Sequence, residues 1–200
     1  MAETVYVVLF RGVGGATKLP VKALHKELTA AGFREVRTYI ASGNVVLASD
    51  LPASKVQAQV AAVARDKLGF DKAVFVRTRR DWAAIIRGNP FRQAVAKPKT
   101  VHAFLIETKP TKAALGALKA KIGEGPEEFS IVGRALYLHT PDGFGPSKVP
   151  PAVERALSGK TTARNWNTVL RLGEIAAEVA AACASPSERP SGKVVKPVSR

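Results

Sequence analysis

Apolar and polar positions along the first half of the chain switch between two periods. TVYVVLF at 4–10 and KAVFVRT at 72–78 are apolar, β-branched runs typical of buried strands, whereas VKALHKELTAAG at 21–32 and SKVQAQVAAVARDKL at 54–68 have helical spacing. Between the helices, EVRTYIASGNVVLAS at 35–49 predicts two strands joined by a Ser-Gly-Asn turn. This order, βαββαβ, is the split βαβ unit of a ferredoxin-like α/β plait.

The second half of the chain repeats this order. TVHAFLI at 100–106 matches the first strand in pattern, and KAALGALKAKIG at 112–123 stands where the first helix stands. EEFSIVGRALYLHT at 127–140 predicts another hairpin, and PPAVERALSG at 150–159 predicts a short helix that begins at prolines. The fourth strand is missing or very short, and a long amphipathic helix is predicted over about 164–184.

We therefore predict an α+β protein of two tandem ferredoxin-like subdomains, at residues 1–90 and 91–184, with the long C-terminal helix closing the second. Trp166 and Cys183 lie on the apolar stripe of that helix, which predicts a core anchor and a packed, unreactive thiol. Residues 185–200 are rich in Ser and Pro, lack an apolar period and carry four cations and one anion. They predict a disordered basic tail.

The composition adds a large excess of positive charge. The 200 residues include 31 Lys and Arg and 16 Asp and Glu, for a formal net charge of +15. Residues 1–90 hold 14 cations and 7 anions and residues 91–200 hold 17 and 9, so the charge is spread along the chain. Spread charge favours a solvated surface, and nucleic-acid binding is the alternative. We expect any binding of RNA or DNA to be weak and assisted by the tail.

Cysteine content and hydropathy bear on the compartment. The single cysteine excludes an internal disulfide and a thiolate metal cluster, which suits a reducing cytoplasm. No apolar run approaches the roughly 18 residues of a membrane span, and residues 1–10 lack the basic flank of an export signal. A cytoplasmic protein without a membrane partner is expected. The pattern does not indicate an oligomeric state.

Five motif-like stretches punctuate the predicted elements: RGVGGATK (11–18), SGN (42–44), GNPF (88–91), DGFGPSK (142–148) and TTARNWN (161–167). In this order they resemble the bacterial domain-of-unknown-function 1697 family. Its members show an Arg-Gly loop with a Gly-Gly pair, a TYI-x-SGNVV hairpin, an NPF, a Gly-x-x-Ser-Lys loop and a closing T-x-RNW-x-TV. The resemblance covers about residues 4–175 and implies two α/β-plait subdomains, with no assigned activity. Relatives commonly have two more residues, typically Ile-Asn, in the first loop.

Two of these stretches have the composition of anion-binding loops. Glycines in RGVGGATK let successive backbone N–H groups point inward as an anion nest, with Arg11 and Lys18 adding charge. DGFGPSK offers Ser147 and Lys148 in the same way. The alternative is that the glycines serve only connections that need positive φ, and SGN is more simply a hairpin turn.

The predicted position of Arg164, at the start of a helix, is the strongest indication of a bound anion in the sequence. In the first turn of a helix a cation is disfavoured by about 0.3–1 kcal/mol unless an anion lies nearby. We expect Thr161 or Thr162 to cap this helix while Arg164 reaches toward the glycine loop. In that case Arg164→Lys weakens ligand-dependent stabilisation and barely changes the free protein. The alternative is a structural arginine that caps a carbonyl or pairs with Asp142.

The direction of the predicted strands decides which candidate loops lie at the same edge of a sheet. On the premise that strands one and three of a plait run parallel, both loops and TTARNWN fall at one edge, with SGN at the opposite edge. Asn44 and Asn89 are then expected elsewhere. The predicted ligand-binding set comprises Arg11, Gly14, Gly15, Lys18, Ser147, Lys148, Thr162, Arg164, Asn165 and Asn167.

The sequence shows no catalytic constellation. His25, His102 and His139 fall in helix and strand patterns without an acidic neighbour at useful spacing, so no catalytic residue, metal or cofactor is assigned. The leading interpretation is a protein that binds a small phosphate- or carboxylate-bearing ligand between its halves. A nucleic-acid binder, an enzyme that stabilises charge through Arg and Lys, and a protein-interaction module are the alternatives.

Overall fold

The first half of the chain forms a four-stranded antiparallel sheet with two helices on one side. The structure, a computed structural model, describes residues 3–14, 17–123 and 125–184. The strands are β1 (Thr4–Phe10), β2 (Arg34–Tyr39), β3 (Asn44–Ser49) and β4 (Val74–Thr78), and the helices are α1 (Val21–Ala30) and α2 (Ala53–Leu68). The strand order is β2-β3-β1-β4. Gly69 ends α2 in a left-handed conformation, with φ of 64°, as a glycine C-cap does.

A second four-stranded antiparallel sheet follows with the same order of pairing. Its strands are β5 (Val101–Leu105), β6 (Glu128–Val132), β7 (Ala135–His139) and β8 (Ala163–Asn165). The strand order is β6-β7-β5-β8. The remaining helices are α3 (Arg79–Arg87), α4 (Lys112–Ile122), α5 (Pro150–Ala156) and α6 (Trp166–Ala184), with short 3₁₀ turns at Gln93–Ala96 and Pro98–Thr100. The predicted α+β class and C-terminal helix are confirmed.

Two boundaries differ from the sequence prediction. The long helix was expected from about residue 164, but Ala163–Asn165 is a strand that pairs with β5, and α6 begins at Trp166. The prediction also lacks α3, which begins directly after β4. Its N-cap is Thr78, whose hydroxyl accepts from the backbone N–H of Asp81 at 3.1 Å. A Thr followed three residues later by an acidic residue is a helix-start signal.

Three apolar clusters order the elements into layers. Alternate side chains of β1 point to opposite faces of the first sheet: Tyr6 and Val8 pack with α1 and α2, and Val5 and Val7 pack into a central cluster. One face of the second sheet packs with α4 and α5. The inner faces of both sheets share the central cluster with α3 and α6. The described chain is thus layered helix, sheet, helix, sheet, helix.

The C-terminal helix supplies much of the central layer. Trp166 is buried, as predicted, with its ring 6.3 Å from that of Tyr137. Cys183 packs partly buried against the same cluster. Burial, with a smaller contribution from Glu3, raises the pKa of the Cys183 thiol. Among the described helices, none has both the length and the apolar character that crossing a bilayer needs.

Candidate functional site

The glycine loop (residues 11–18) and the hairpin turn (residues 40–43) lie at the same edge of the first sheet. β1 and β3 are antiparallel, with Leu9 opposite Asn44, so the turn that precedes β3 meets the end of β1. The backbone N–H of Phe10 donates to the carbonyl of Gly43 at 2.8 Å. The premise that strands one and three run parallel was therefore wrong. Asn44, expected elsewhere, belongs to this edge.

Arg164 connects this edge to the second sheet. It lies in β8, opposite Ala103 of β5, and its side chain crosses to the first sheet. The guanidinium donates through Nε to Asn44 Oδ1 at 2.5 Å, through Nη1 to Thr162 Oγ1 at 2.9 Å and Ala163 O at 2.7 Å, and through Nη2 to Phe10 O at 2.9 Å, Ser42 O at 3.0 Å and Gly43 O at 3.3 Å. Since a guanidinium has five N–H groups, protein acceptors occupy all of them.

The electrostatic state of Arg164 is unusual. Burial lowers the pKa of its guanidinium to about 10, so the group is still charged at neutral pH. Every acceptor around it is an uncharged amide, carbonyl or hydroxyl oxygen. No ion pair among the described residues includes it, and its suggested partner Asp142 is not bonded to it. Arg164 is therefore a half-buried positive charge without a carboxylate partner in the described chain.

Arg11 forms a second link between the two sheets. Its Nη2 lies 2.9 Å from Glu154 Oε2, and its Nη1 donates to the carbonyl of Gly159 just beyond the end of α5. The Arg11 and Glu154 side chains are 38% and 50% exposed, so water screens this ion pair and it contributes little to stability. The structure thus brings Arg11 next to the residues that lead into TTARNWN.

The glycine loop is open on its outer side. Gly12 and Gly14 have φ of 69° and 140°, and a Cβ built on either would have no neighbour within 4 Å. Gly14 and Thr17 exchange two backbone hydrogen bonds, at 2.8 and 3.0 Å. Lys18 is exposed. Gly15 lies outside the described residues. At Gly12 and Gly14 there is room for a side chain, so the positive φ and not a steric contact is what favours glycine.

Ser147 and Lys148 lie away from this edge. β7 runs antiparallel to β5, so the loop after β7 leaves from the edge where β5 begins. The Ser147 hydroxyl donates to Glu127 Oε1 at 2.9 Å and accepts from the Val149 N–H at 3.1 Å, which places it at the start of α5. Arg11 contacts the far end of that helix, roughly 10 Å further at 1.5 Å per residue. The structure does not bring these two residues to Arg11.

The remaining candidates support the helix and Arg164. Asn165 Oδ1 accepts from the Thr168 N–H at 3.0 Å and so caps α6. Thr161 instead donates to the carbonyl of Leu105 at 2.7 Å, and Thr162 accepts from Arg164, so the predicted threonine cap was wrong. Asn167 is exposed on the first turn of α6.

Two histidines occupy sheet positions without forming a reactive pair. His102 stacks on Phe144 with ring centroids 3.8 Å apart, and burial lowers its pKa to about 4. His139 Nδ1 lies 4.0 Å from Glu128 Oε1, a neighbour that strand pairing supplies and the sequence does not reveal. The described residues contain no group of three or more His, Cys, Asp or Glu side chains placed to hold a metal ion.

Comparison with known proteins places this α+β architecture in a family. The family model for "Protein of unknown function (DUF1697)" matches residues 3–137. Because the match spans more than half of the chain, the protein belongs to this family, as its motifs predicted. None of the curated proteins searched matches the chain.

One solved structure shows the same fold. The conserved bacterial protein SP0830 from Streptococcus pneumoniae is similar with a TM-score of 0.62 and 20% identity, over 88% of this chain and 99% of that chain. An unknown protein from Galdieria sulphuraria aligns over 82% of this chain and 97% of its own with 12% identity, but its TM-score of 0.27 is too low to support a shared fold.

Proposed function

We propose that the protein binds a small phosphate- or carboxylate-bearing ligand at the glycine loop, between two ferredoxin-like subdomains at residues 1–90 and 91–184. The equivalent strand orders β2-β3-β1-β4 and β6-β7-β5-β8 support two subdomains that arose by internal duplication. The single cysteine supports a cytoplasmic location.

The observation that carries the proposal is the unpaired charge of Arg164. A half-buried cation surrounded only by neutral acceptors is unfavourable by itself, because burial removes part of its solvation and hydrogen bonds to carbonyls replace that part incompletely. An anion at the adjoining loop offsets that cost. For unit charges about 6 Å apart and an effective dielectric constant of about 20, the attraction is about 3 kcal/mol.

Arg164 and the ligand contacts then have different roles. The donors of Arg164 are all occupied, so it acts on the ligand through its field. Arg11, Lys18 and the backbone N–H groups of the loop contact the ligand directly. Arg11 is available because its exposed pair with Glu154 is weak enough to exchange for a multiply charged anion. Thr162 and Asn165 hold Arg164 and α6, and Lys148 belongs to the other edge.

Titration with inorganic phosphate and with pyrophosphate tests the proposal. Binding should raise the unfolding temperature with saturation, and Lys18→Gln should weaken it about tenfold, a loss of about 1.4 kcal/mol. Lys148→Gln is the matched control, since it removes an equally exposed lysine from the other glycine-rich loop. Absence of saturable binding, or equal losses in both variants, refutes the assignment to this loop.

The structure offers no observation that favours nucleic acid. Plait domains that bind RNA stack bases on an open sheet face. Here the outer faces of the described sheets pack on α1, α2, α4 and α5, and the inner faces enclose α3 and α6. The positive charge alone supports only weak, salt-sensitive association.

A further inference from the structure

A cavity lies between the two halves, away from the glycine loop. It has a volume of about 240 Å³ and forms where the first two turns of α3 approach the turn between β6 and β7. Its lining consists of Arg77, Asp81, Ala84, Ile85, Val132, Gly133 and Arg134. Ligand pockets for drug-sized molecules span about 300–1,000 Å³, so this cavity suits a smaller molecule.

Arg77 is the side chain that makes this cavity unusual. It lies on β4, two residues after Phe75 and on the same inner face, and it is only 4% exposed. Its guanidinium donates to Val76 O at 2.9 Å, Ile106 O at 3.1 Å and Glu107 Oε1 at 2.6 Å. Nε has no acceptor. A buried donor left without a partner costs about 1–3 kcal/mol, so Arg77 has unused capacity for an acceptor.

The charges around the cavity balance. Glu107 lies between Arg77 and Arg134, at 2.6 Å and 3.8 Å, and Asp81 provides a second carboxylate. Asp81 Oδ2 accepts from the Thr78 hydroxyl at 2.7 Å, which leaves Oδ1 for another donor. Two arginines and two carboxylates make a neutral site, which is unsuited to the phosphate dianion proposed for the glycine loop.

We propose that this cavity binds a free α-amino acid with an aliphatic side chain. The ligand carboxylate accepts a hydrogen bond from Nε of Arg77, the donor without a partner, and lies toward the exposed guanidinium of Arg134. Its ammonium group lies toward Asp81. Its side chain packs on Ala84, Ile85 and Val132, and the last of these is 42% exposed in the free protein. This site is independent of the proposed phosphate site.

Calorimetric titration of the full chain with L-valine, L-leucine and L-methionine tests the proposal. Each ligand is raised to about 10 mM, so that binding with a Kd of 1 mM, or about −4 kcal/mol, would approach saturation. We expect saturable binding of at least one. For the amino acid that binds, the analogue without its amine and the analogue without its carboxylate should each bind at least about tenfold more weakly, a difference of about 1.4 kcal/mol.

Variants locate the binding. Arg134 is 63% exposed, so Arg134→Gln should leave the protein folded and weaken amino-acid binding about tenfold. Asp81→Asn should weaken the amino acid but not the analogue that lacks the amine. Arg87→Gln, on the exposed side of the same helix and outside the cavity, is the control. If none of the three amino acids binds, or if binding is indifferent to both cavity variants, the proposal is wrong. Pyrophosphate titrations should be unchanged in all three variants, so the two proposals fail separately.

Discussion

Replacing Arg164 by lysine should destabilise the protein even though the charge is retained. An ammonium group has three N–H donors and the guanidinium has five, so at least two of the acceptors around Arg164 lose their donor. Each buried acceptor left unpaired costs about 1–3 kcal/mol, so two of them give a loss of about 2–6 kcal/mol. This reverses the sequence-level expectation that the free protein would barely change.

Urea unfolding followed by tryptophan fluorescence measures this loss, because Trp82 and Trp166 are both buried in the central layer. At about 2–4 °C per kcal/mol for a chain of this size, a loss of about 2–6 kcal/mol should lower the unfolding temperature by roughly 4–24 °C. Arg171→Lys is the matched control: Arg171 is 41% exposed and pairs with Glu174 and Glu178 on one helix face, so water screens these pairs and its replacement should leave the unfolding midpoint nearly unchanged.

A double-mutant cycle isolates the hydrogen bond between Arg164 and Asn44. The 2.5 Å contact between Nε and Oδ1 joins the two sheets, so Arg164→Lys and Asn44→Ala should couple by about 1–3 kcal/mol. If Arg164→Lys costs no more than Arg171→Lys, the donors are not needed for stability. In that case the hydrogen bonds of Arg164 contribute little to stability, and its role is direct contact with the ligand.

Three further predictions concern the hairpin turn, a helix cap and pH. Gly43→Ala should cost about 2–4 kcal/mol in urea unfolding, since φ is 68° and the new Cβ would lie 2.6 Å from a side-chain carbon of the glycine loop. The control is Gly116→Ala, in open space within α4, which should stabilise the protein by about 0.5–1 kcal/mol. Equal effects of the two substitutions would contradict the packing described for the turn. Asn165→Ala should cost about 1 kcal/mol by removing the cap of α6, and Asn165→Asp should retain most of the stability. The pKa of His102 is lowered from 6.5 to about 4, so the stability from keeping it neutral is present above pH 6.5 and is lost as pH falls toward 4, by about 3 kcal/mol in total. This fall should be smaller in His102→Gln, and identical pH profiles for the two proteins would contradict it.

Periodicity was enough to find the long elements, because their apolar positions recur at the strand and helix periods. It was less informative where an element is short or highly charged. α3 begins with two arginines, and only the Thr78 and Asp81 pair marks its start. β8 has three residues, too few to show alternation, so Arg164 was assigned to the helix that follows.

The composition of the edge was visible in the motifs, but its contacts were not. RGVGGATK and TTARNWN lie near each other: Arg11 donates to the carbonyl of Gly159, two residues before TTARNWN, and Arg164 donates to the carbonyl of Phe10, the residue before RGVGGATK. Most acceptors of Arg164 are backbone carbonyls, which no residue type reveals. The position of Asn44 depended on strand direction, and the wrong direction moved it to the opposite edge. Whether the edge binds an anion stays a prediction.

The position of α6 has a consequence for synthesis and for truncated variants. This helix is the last described element of the chain, yet it contacts β1, β2 and β3 of the first sheet as well as β5 and β8. During translation, α3 can cover only part of the inner face of the first sheet, and the rest stays uncovered until residues 166–184 leave the ribosome. A fragment that stops before Trp166 exposes Val5, Val7 and Leu9 to water, and such apolar surface favours aggregation. The first half of the molecule therefore needs α6, the last of the described helices, to complete its packing, and it cannot reach its full set of contacts before the second half has been made.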